Sequence, residues 1–309
     1  MITDNELFSL KEINEKQVIK SEILYSSRRF NFFNSSKCDY IYTHFDSKLS
    51  MFFGVKDNKL VAPFSSPFSF PRYVSDFIKY RHVYEFFDSL KNEVENSDNI
   101  DEVKITLPPT LYNDSMISKI SHSLESLGFE LAYRDLNSHI NLNENEVDRL
   151  PSKTKKGVRS SKKYNNTMMQ AITLEDKQRT YNIIKENRAM KGYPLRMSWD
   201  QVSATISEVA EADFFIAQTD GEDAAAAIVF EVANDIAQVI YWGGNYFGEK
   251  SHVMYYLPFE IMKYYKLKGF RYLDIGPSSE DGMVSNGLND YKQMIGCVNT
   301  LKETWVYCK

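Results

Sequence analysis

Apolar and polar positions alternate from residue 38 onward, and the alternation predicts strands. CDYIYTHF (38–45) is one, and LSMFFGVKDNKLVAPF (49–64) reads as a hairpin turning at Asp57-Asn58. SSPFSFPRY (65–73) has no period and reads as a loop. The period then lengthens. In HVYEFFDSLKNEVEN, Val83, Phe86, Phe87, Leu90 and Val94 fall on one helical stripe. EVKITLPP is a strand stopped by two prolines. NDSMISKISHSLESLG is a second helix, with Asn113 or Asp114 as its cap and Gly128 at its end. FELAYRDLNSHINL (129–142) is a further strand.

The same order of elements follows again. TLEDKQRTYNIIKENRAMKG and SWDQVSATISEVAEA read as helices, the second capped by Ser198. Residues 213–244 read as three strands with turns at Asp220-Gly221 and Asn234-Asp235. SHVMYYLPFEIMKYYKLKG is a helix in which Pro258 predicts a kink. Strand FRYLDIG, a polar loop, a short helix from Leu288 to Ile295 and strand TLKETWVYC complete the chain. Periodicity lapses in NENEVDRLPS (143–152). The reading is an α+β protein of two modules, 1–147 and 148–309, each with mixed, mostly antiparallel strands flanked by helices. Duplication of one module explains the repeated order, although many α+β proteins of this size would show it too.

Composition agrees with two globular cores. The chain has 309 residues, 43% hydrophobic and 26% charged. A net charge of −5 speaks against DNA as a partner. Three scattered cysteines, Cys38, Cys297 and Cys308, form no CxxC pair and fit a reducing cytoplasm. The N-terminal MITDNELFSLKEINEK lacks the apolar core of a signal peptide, and no apolar run is long enough to span a membrane. The five histidines show no metal-ligand spacing, so no metal is expected. Twenty Phe and twenty Tyr either line a groove or reflect coding composition.

Charge is unevenly placed. RLPSKTKKGVRSSKKY (149–164) carries seven cations and no acid, in a chain whose remainder is therefore −12. Lys155, Arg159, Lys162 and Lys163 share a helical face. They form a phosphate site or a solvated basic face. YWGGNYFGEKSHVMYYL places glycines between a strand and a helix, as a phosphate-binding turn or only a tight bulge. Asp274 interrupts an apolar strand near its end, and Lys292 follows the polar loop. A carboxylate there would orient or deprotonate an amine, or would hold the loop. A lysine in the same cleft would stabilise an oxyanion, or would form a surface ion pair.

GFRYLDIGPSS followed by GLNDYKQMIG resembles the C-terminal signature of the Fem-type branch of the GNAT acyltransferase superfamily, the peptidoglycan-bridge enzymes and their relatives. Gly269, Asp274, Gly276, Gly287, Leu288, Lys292 and Gly296 match it, and Tyr291 stands where Phe is usual. SKTKKGVRSSKKY resembles the entry to the second module, and LVAPFSSPFSF and ITLPPTLY resemble first-module segments of relatives in surface-polysaccharide pathways.

The resemblance implies two tandem GNAT-like modules with a groove between them. It implies acyl transfer from a thioester, acyl-CoA, to the amine of an amino-sugar nucleotide or amino acid, in cell-envelope or polysaccharide biosynthesis. Asp274, Tyr291 and Lys292 become the candidate catalytic residues. Tyr241, Trp242, Gly243, Lys250 and Ser251 become the donor-binding segment. Arg159, Lys155, Phe64, Ser66, Phe68, Ser278 and Ser279 become the substrate-binding set. The Gln/Arg-x-x-Gly-x-Gly/Ala loop that grips CoA in ordinary GNAT enzymes is missing, with FGEKSHVM in its place. The long inserted helix pair of Fem proteins is missing also, which disfavours the alternative of an aminoacyl-tRNA donor. A non-catalytic binding protein on the same fold is the other alternative.

Overall fold

The computed structural model describes residues 23–75, 77–144 and 150–309. The N-terminal segment read for a signal peptide, and Arg149 of the basic run, lie outside them. In chain order the elements are α1 (Arg28–Phe33), β1 (Tyr40–Phe45), β2 (Leu49–Lys56), β3 (Lys59–Ala62), β4 (Arg72–Tyr73), α2 (Tyr80–Glu95), β5 (Glu102–Thr106), α3 (Asp114–Ser126) and β6 (Glu130–Asn141). After them come α4 (Ser152–Ser161), β7 (Asn166–Gln170), α5 (Leu174–Met190), α6 (Trp199–Glu208), β8 (Ala212–Thr219), β9 (Glu222–Ala233) and β10 (Ile236–Gly244). The last are α7 (Tyr246–Lys250), α8 (Leu257–Leu267), β11 (Tyr272–Pro277), β12 (Ser279–Glu280), β13 (Met283–Val284), α9 (Asn286–Met294) and β14 (Val298–Cys308).

These elements pack as two compact units. The described residues up to Arg134 join Lys302–Lys309 in the first, and the described residues of Asp135–Leu301 form the second. The α+β class expected from the order of elements is what forms, with mostly antiparallel pairing in both.

The first unit orders its strands β1-β2-β3-β5-β14, with β4 on β2. Asp57 and Asn58 both adopt positive φ (50° and 59°), the backbone that a two-residue hairpin turn demands. The predicted stripe of α2 is buried throughout, from Val83 to Val94. Asn113 caps α3 by accepting from the Met116 N–H at 3.0 Å. The final strand was read as closing the second module. Its residues Thr304–Cys308 instead pair antiparallel with Glu102–Thr106 of β5, so the chain's last segment completes the first unit.

The second unit orders its strands β6-β11-β10-β9-β8-β7, all antiparallel except β10 with β11. Ile140, Phe215, Ala225, Ala227, Val239, Leu273 and Ile275 form one apolar layer with Leu257, Ile261 and Tyr265 of α8. Helix α5 lies on β8, β9 and β10, and buries Tyr181, Ile184 and Asn187. Ser198 caps α6 in a reciprocal box with Gln201. Pro258 does not kink a long helix. It sits in the first turn of α8, where its missing N–H costs nothing, and the preceding residues break into α7 and a 3-10 turn at Val253–Tyr255.

Candidate functional site

β11 enters the sheet as an apolar strand, and Asp274 is its fully buried exception. The carboxylate is met on every side by donors. Asn137 Nδ2 donates to Oδ1 at 2.8 Å, the Gly276 N–H to Oδ1 at 2.9 Å and Gln238 Nε2 to Oδ2 at 2.7 Å. These donors come from three neighbouring strands, because register sets Gln238 and His139 beside Asp274. The pairing with β6 then slips by one residue between Asp274 and Gly276, and Gly276 takes φ 77°. Asp274 therefore builds the bulge that ends the strand. Three donors on a fully buried carboxylate are the arrangement of a loop organiser.

The bulge aims two carbonyls at α9. Lys292 Nζ donates to the Gly276 and Pro277 carbonyls at 2.8 Å each, with only 3% of the residue exposed. Burial pushes the Lys292 ammonium down to about 8. The Arg188 charge adds to that push, while Cys297 and Asp274 oppose it. Asp274 and Lys292 thus meet through one short backbone segment, from opposite sides of Gly276. The neighbouring Tyr291 points elsewhere. Its hydroxyl donates to the Met254 carbonyl at 3.0 Å and its ring lies edge-on to Trp242 at 6.2 Å, with the phenol raised by burial.

The polar loop is more ordered than its composition implied. Ser278 and Ser279, expected to bind substrate, are buried and spent on the protein. Ser278 Oγ pairs with Ser138 Oγ at 3.0 Å, and Ser279 Oγ donates to Asp135 Oδ1 at 2.8 Å. The Gly282 N–H reaches the same Asp135 oxygen at 3.1 Å and pins the β12–β13 hairpin.

Of the donor-binding segment, Tyr241 is buried at the end of β10 beneath the Arg188 guanidinium, 5.8 Å from its ring. A Cβ at Gly243 would collide with the Asn187 carboxamide, and one at Gly248 would collide with the Ala224 carbonyl. These glycines permit close packing of α5 and α7 on the sheet. Asn245 caps α7 with its own side chain, accepting from the Gly248 N–H at 2.9 Å. Ser251 is buried and hydrogen-bonded to Thr219 and the Gly248 carbonyl. Lys250 is exposed, over the Tyr246 ring at 4.7 Å.

The basic segment forms α4. Its inner face is Thr154, Gly157 and Ser161; Thr154 Oγ1 donates to the Met294 carbonyl at 2.6 Å and ties α4 to the end of α9. Arg159 is exposed and Lys155 half-buried. None of Lys153, Lys155, Lys156, Arg159, Lys162 and Lys163 forms an ion pair among the described residues. In the first unit, Phe68 is buried between Tyr25 (5.1 Å) and Tyr112 (4.7 Å) and cannot wall a groove. Phe64 packs on Gly54, and Ser66 Oγ donates to the Phe68 carbonyl at 2.9 Å.

Several residues escaped the sequence. Asn137 and Gln238 hold Asp274; Gln238 is a lone polar side chain inside apolar β10, whereas Asn137 stands among the polar residues of β6 and carries no such signal. His139 is buried beside Asp274 with Nδ1 unpartnered, and burial lowers its pKa. A cleft of about 460 Å³ opens where α5 gives way to α6, lined by Tyr181, Lys185, Arg188, Tyr193, Arg196 and Gln201 among others. Among the described residues no cluster of His, Cys, Asp and Glu is arranged to hold a metal, and no helix is long and apolar enough to cross a membrane.

No protein-family model and no curated protein sequence matches this chain. Solved structures do. FemX is similar over 95% of this chain and 94% of its own, with TM-score 0.66 and 11% identity. A conserved protein of unknown function from Bacteroides thetaiotaomicron covers 92% and 93%, with TM-score 0.60 and 11% identity. L-PGS from Bacillus licheniformis covers 91% and 87%, with TM-score 0.58 and 12% identity. The chain has a FemX-like fold, as the resemblance of its C-terminal segment implied.

Proposed function

We propose that this protein is an N-acyltransferase. It moves an acyl group from a thioester, acyl-CoA, to the amine of an amino sugar or amino acid, in building surface polysaccharide or cell envelope. The observation that carries the reading is Lys292, a buried ammonium seated on the Gly276 and Pro277 carbonyls at the bulged end of β11. The FemX-like fold supports a transferase in general and leaves the substrates to this argument.

The acceptor nitrogen attacks the thioester carbonyl carbon. The C–N bond forms, the C–S bond breaks, and the nitrogen's proton leaves with the thiol. Negative charge gathers on the carbonyl oxygen in between. A partly desolvated ammonium stabilises that charge more than a solvated one does, because water does not screen it. Asp274 is a positioning residue here. It fixes Gly276, and Gly276 fixes the carbonyls that aim Lys292.

The test is thiol release from acetyl-CoA in the presence of a panel of amino sugars and amino acids. Lys292→Met is expected to lower kcat by about 100- to 1,000-fold, the loss typical of one oxyanion donor. Asp274→Asn is expected to lower it less. Full activity in both variants would remove the site.

A second reading keeps the reaction and changes the donor to an aminoacyl-RNA. The four cations of α4 and Lys162 and Lys163 just beyond it, none in an ion pair among the described residues, favour it. Retention of RNA at low salt, falling steeply as salt rises, is its signature. No retention at low salt would eliminate it.

A further inference from the structure

Arg188 is out of place by ordinary rules. It is half-buried in the last turn of α5, yet its guanidinium makes no ion pair and no hydrogen bond among the described residues. Its guanidinium lies over the face of Tyr241. A cation near a helix C-terminus is favoured by the helix dipole. The cation–π contact explains its place over the Tyr241 ring, but it leaves the forked N–H donors without an acceptor among the described residues. Removing a guanidinium from water without a carboxylate to meet it is costly, and its forked donors are shaped for one.

The surroundings repeat the anomaly. Gly192, at φ 70°, ends α5 and turns the chain back; Tyr181 donates its hydroxyl to the Met197 carbonyl at 3.0 Å and secures the return. The open cleft beside this turn, about 460 Å³, is of the size that holds a small metabolite. Lys185, Arg188 and Arg196 line it, and among the described residues no Asp or Glu does and Lys185 has no ion pair. Arg196 reaches across to Glu280 of the β12–β13 hairpin, and both partners are 76% exposed. A pair so solvated is weak enough to be exchanged for another anion.

We propose that this cleft binds the anionic group of a small molecule, a carboxylate or a phosphate, with Arg188 as the forked donor, Lys185 as a second charge, and Arg196 as a third surrendered by Glu280. Glu280 is then a built-in competitor that sets the affinity. Under the acyltransfer reading, on which this clause rests, the ligand is the amine acceptor: an amino acid, or an amino sugar bearing phosphate.

Calorimetric titration of the full chain tests this with inorganic phosphate, glucosamine 6-phosphate, glycine and uncharged N-acetylglucosamine. Wild type is expected to bind at least one anionic probe, and the phosphate and carboxylate arms identify which source it takes. N-acetylglucosamine is expected not to bind. Arg188→Ala, checked for native circular dichroism, should weaken binding by about tenfold or more, the size of one charge-assisted hydrogen bond. Arg188→Lys should recover only part, because the fork is lost. Glu280→Gln should tighten binding. Absence of binding by every anionic probe, or equal binding by wild type and Arg188→Ala, overturns the proposal. Binding with no acyl transfer for any donor leaves this site standing and removes the acyltransfer reading. Acyl transfer whose KM for an anionic acceptor is unchanged in Arg188→Ala does the reverse.

Discussion

Lys292 has given up nearly all of its water and received two carbonyl oxygens in return. That exchange makes it titrate near 8 in the folded protein, against 10.5 for an ordinary lysine. Below about 8 the ammonium is charged in both folded and unfolded chains, and the folded state bears the full penalty of its burial. Between about 8 and 10.5 the unfolded chain binds more protons, so stability rises with pH. The rise from this residue amounts to roughly 3 kcal/mol at most. Cys297, whose thiol is pushed up to about 12, acts in the opposite sense at higher pH. The clean measurement is therefore a difference. Urea midpoints of wild type and Lys292→Met, taken from pH 7 to 10, should converge or cross in favour of wild type as pH rises. A constant gap would show that Lys292 is not held low. Asp274 was visible in the sequence because it interrupts an apolar strand, and Lys292 because it follows the polar loop in a segment that resembles the Fem-type signature. Asn137 and Gln238 were hidden because only strand register brings them to Asp274, and Arg188 was hidden because it looks like any cation ending a helix.

At the scale of elements, the glycines between β10 and α7 had two readings, a phosphate turn or a tight approach. Contacts favour the second: Gly248 lies against the Ala224 carbonyl, and Gly243 against the Asn187 side chain. These two obstacles differ in what can yield. Backbone of β9 cannot move without breaking the ladder on both sides, whereas a side chain can be trimmed. Gly248→Ala is expected to cost about 1–3 kcal/mol, as overpacked sites do. Gly243→Ala should cost a similar amount alone but markedly less in an Asn187→Ala background, giving a coupling of at least about 0.5 kcal/mol. Additive behaviour at 187 and 243 in thermal or urea unfolding would refute that picture. The same contrast explains Pro258. Sequence alone shows that a proline interrupts a long apolar period, but whether it kinks a helix or begins one depends on what the preceding turn packs against.

On the scale of the whole chain, the order of elements disclosed two modules, and the alternation in TLKETWVYC disclosed a strand. Neither discloses which sheet that strand joins, because a period of two suits any sheet with a free edge. Its destination was decided by residues far away in sequence. Thr304 is fully buried with its hydroxyl on Thr106 at 2.9 Å, Trp305 is buried, and Glu303 binds Ser121 and Arg134. The chain passes out of the first unit within β6 and returns to it within β14. Completion of that unit therefore requires Lys302–Lys309, which follow the whole of the second unit in sequence. Deletion of Lys302–Lys309 would strip β5 of its antiparallel neighbour and leave the buried Thr106 hydroxyl without Thr304. Hydrogen exchange on the truncated chain should show β5 and α3 losing protection by orders of magnitude while β8 and β9 retain theirs. A synthetic peptide of residues 298–309, added in excess, should restore protection in β5 by mass action. Equal protection of β5 with and without the last eight residues would mean that β14 decorates the first unit without completing it.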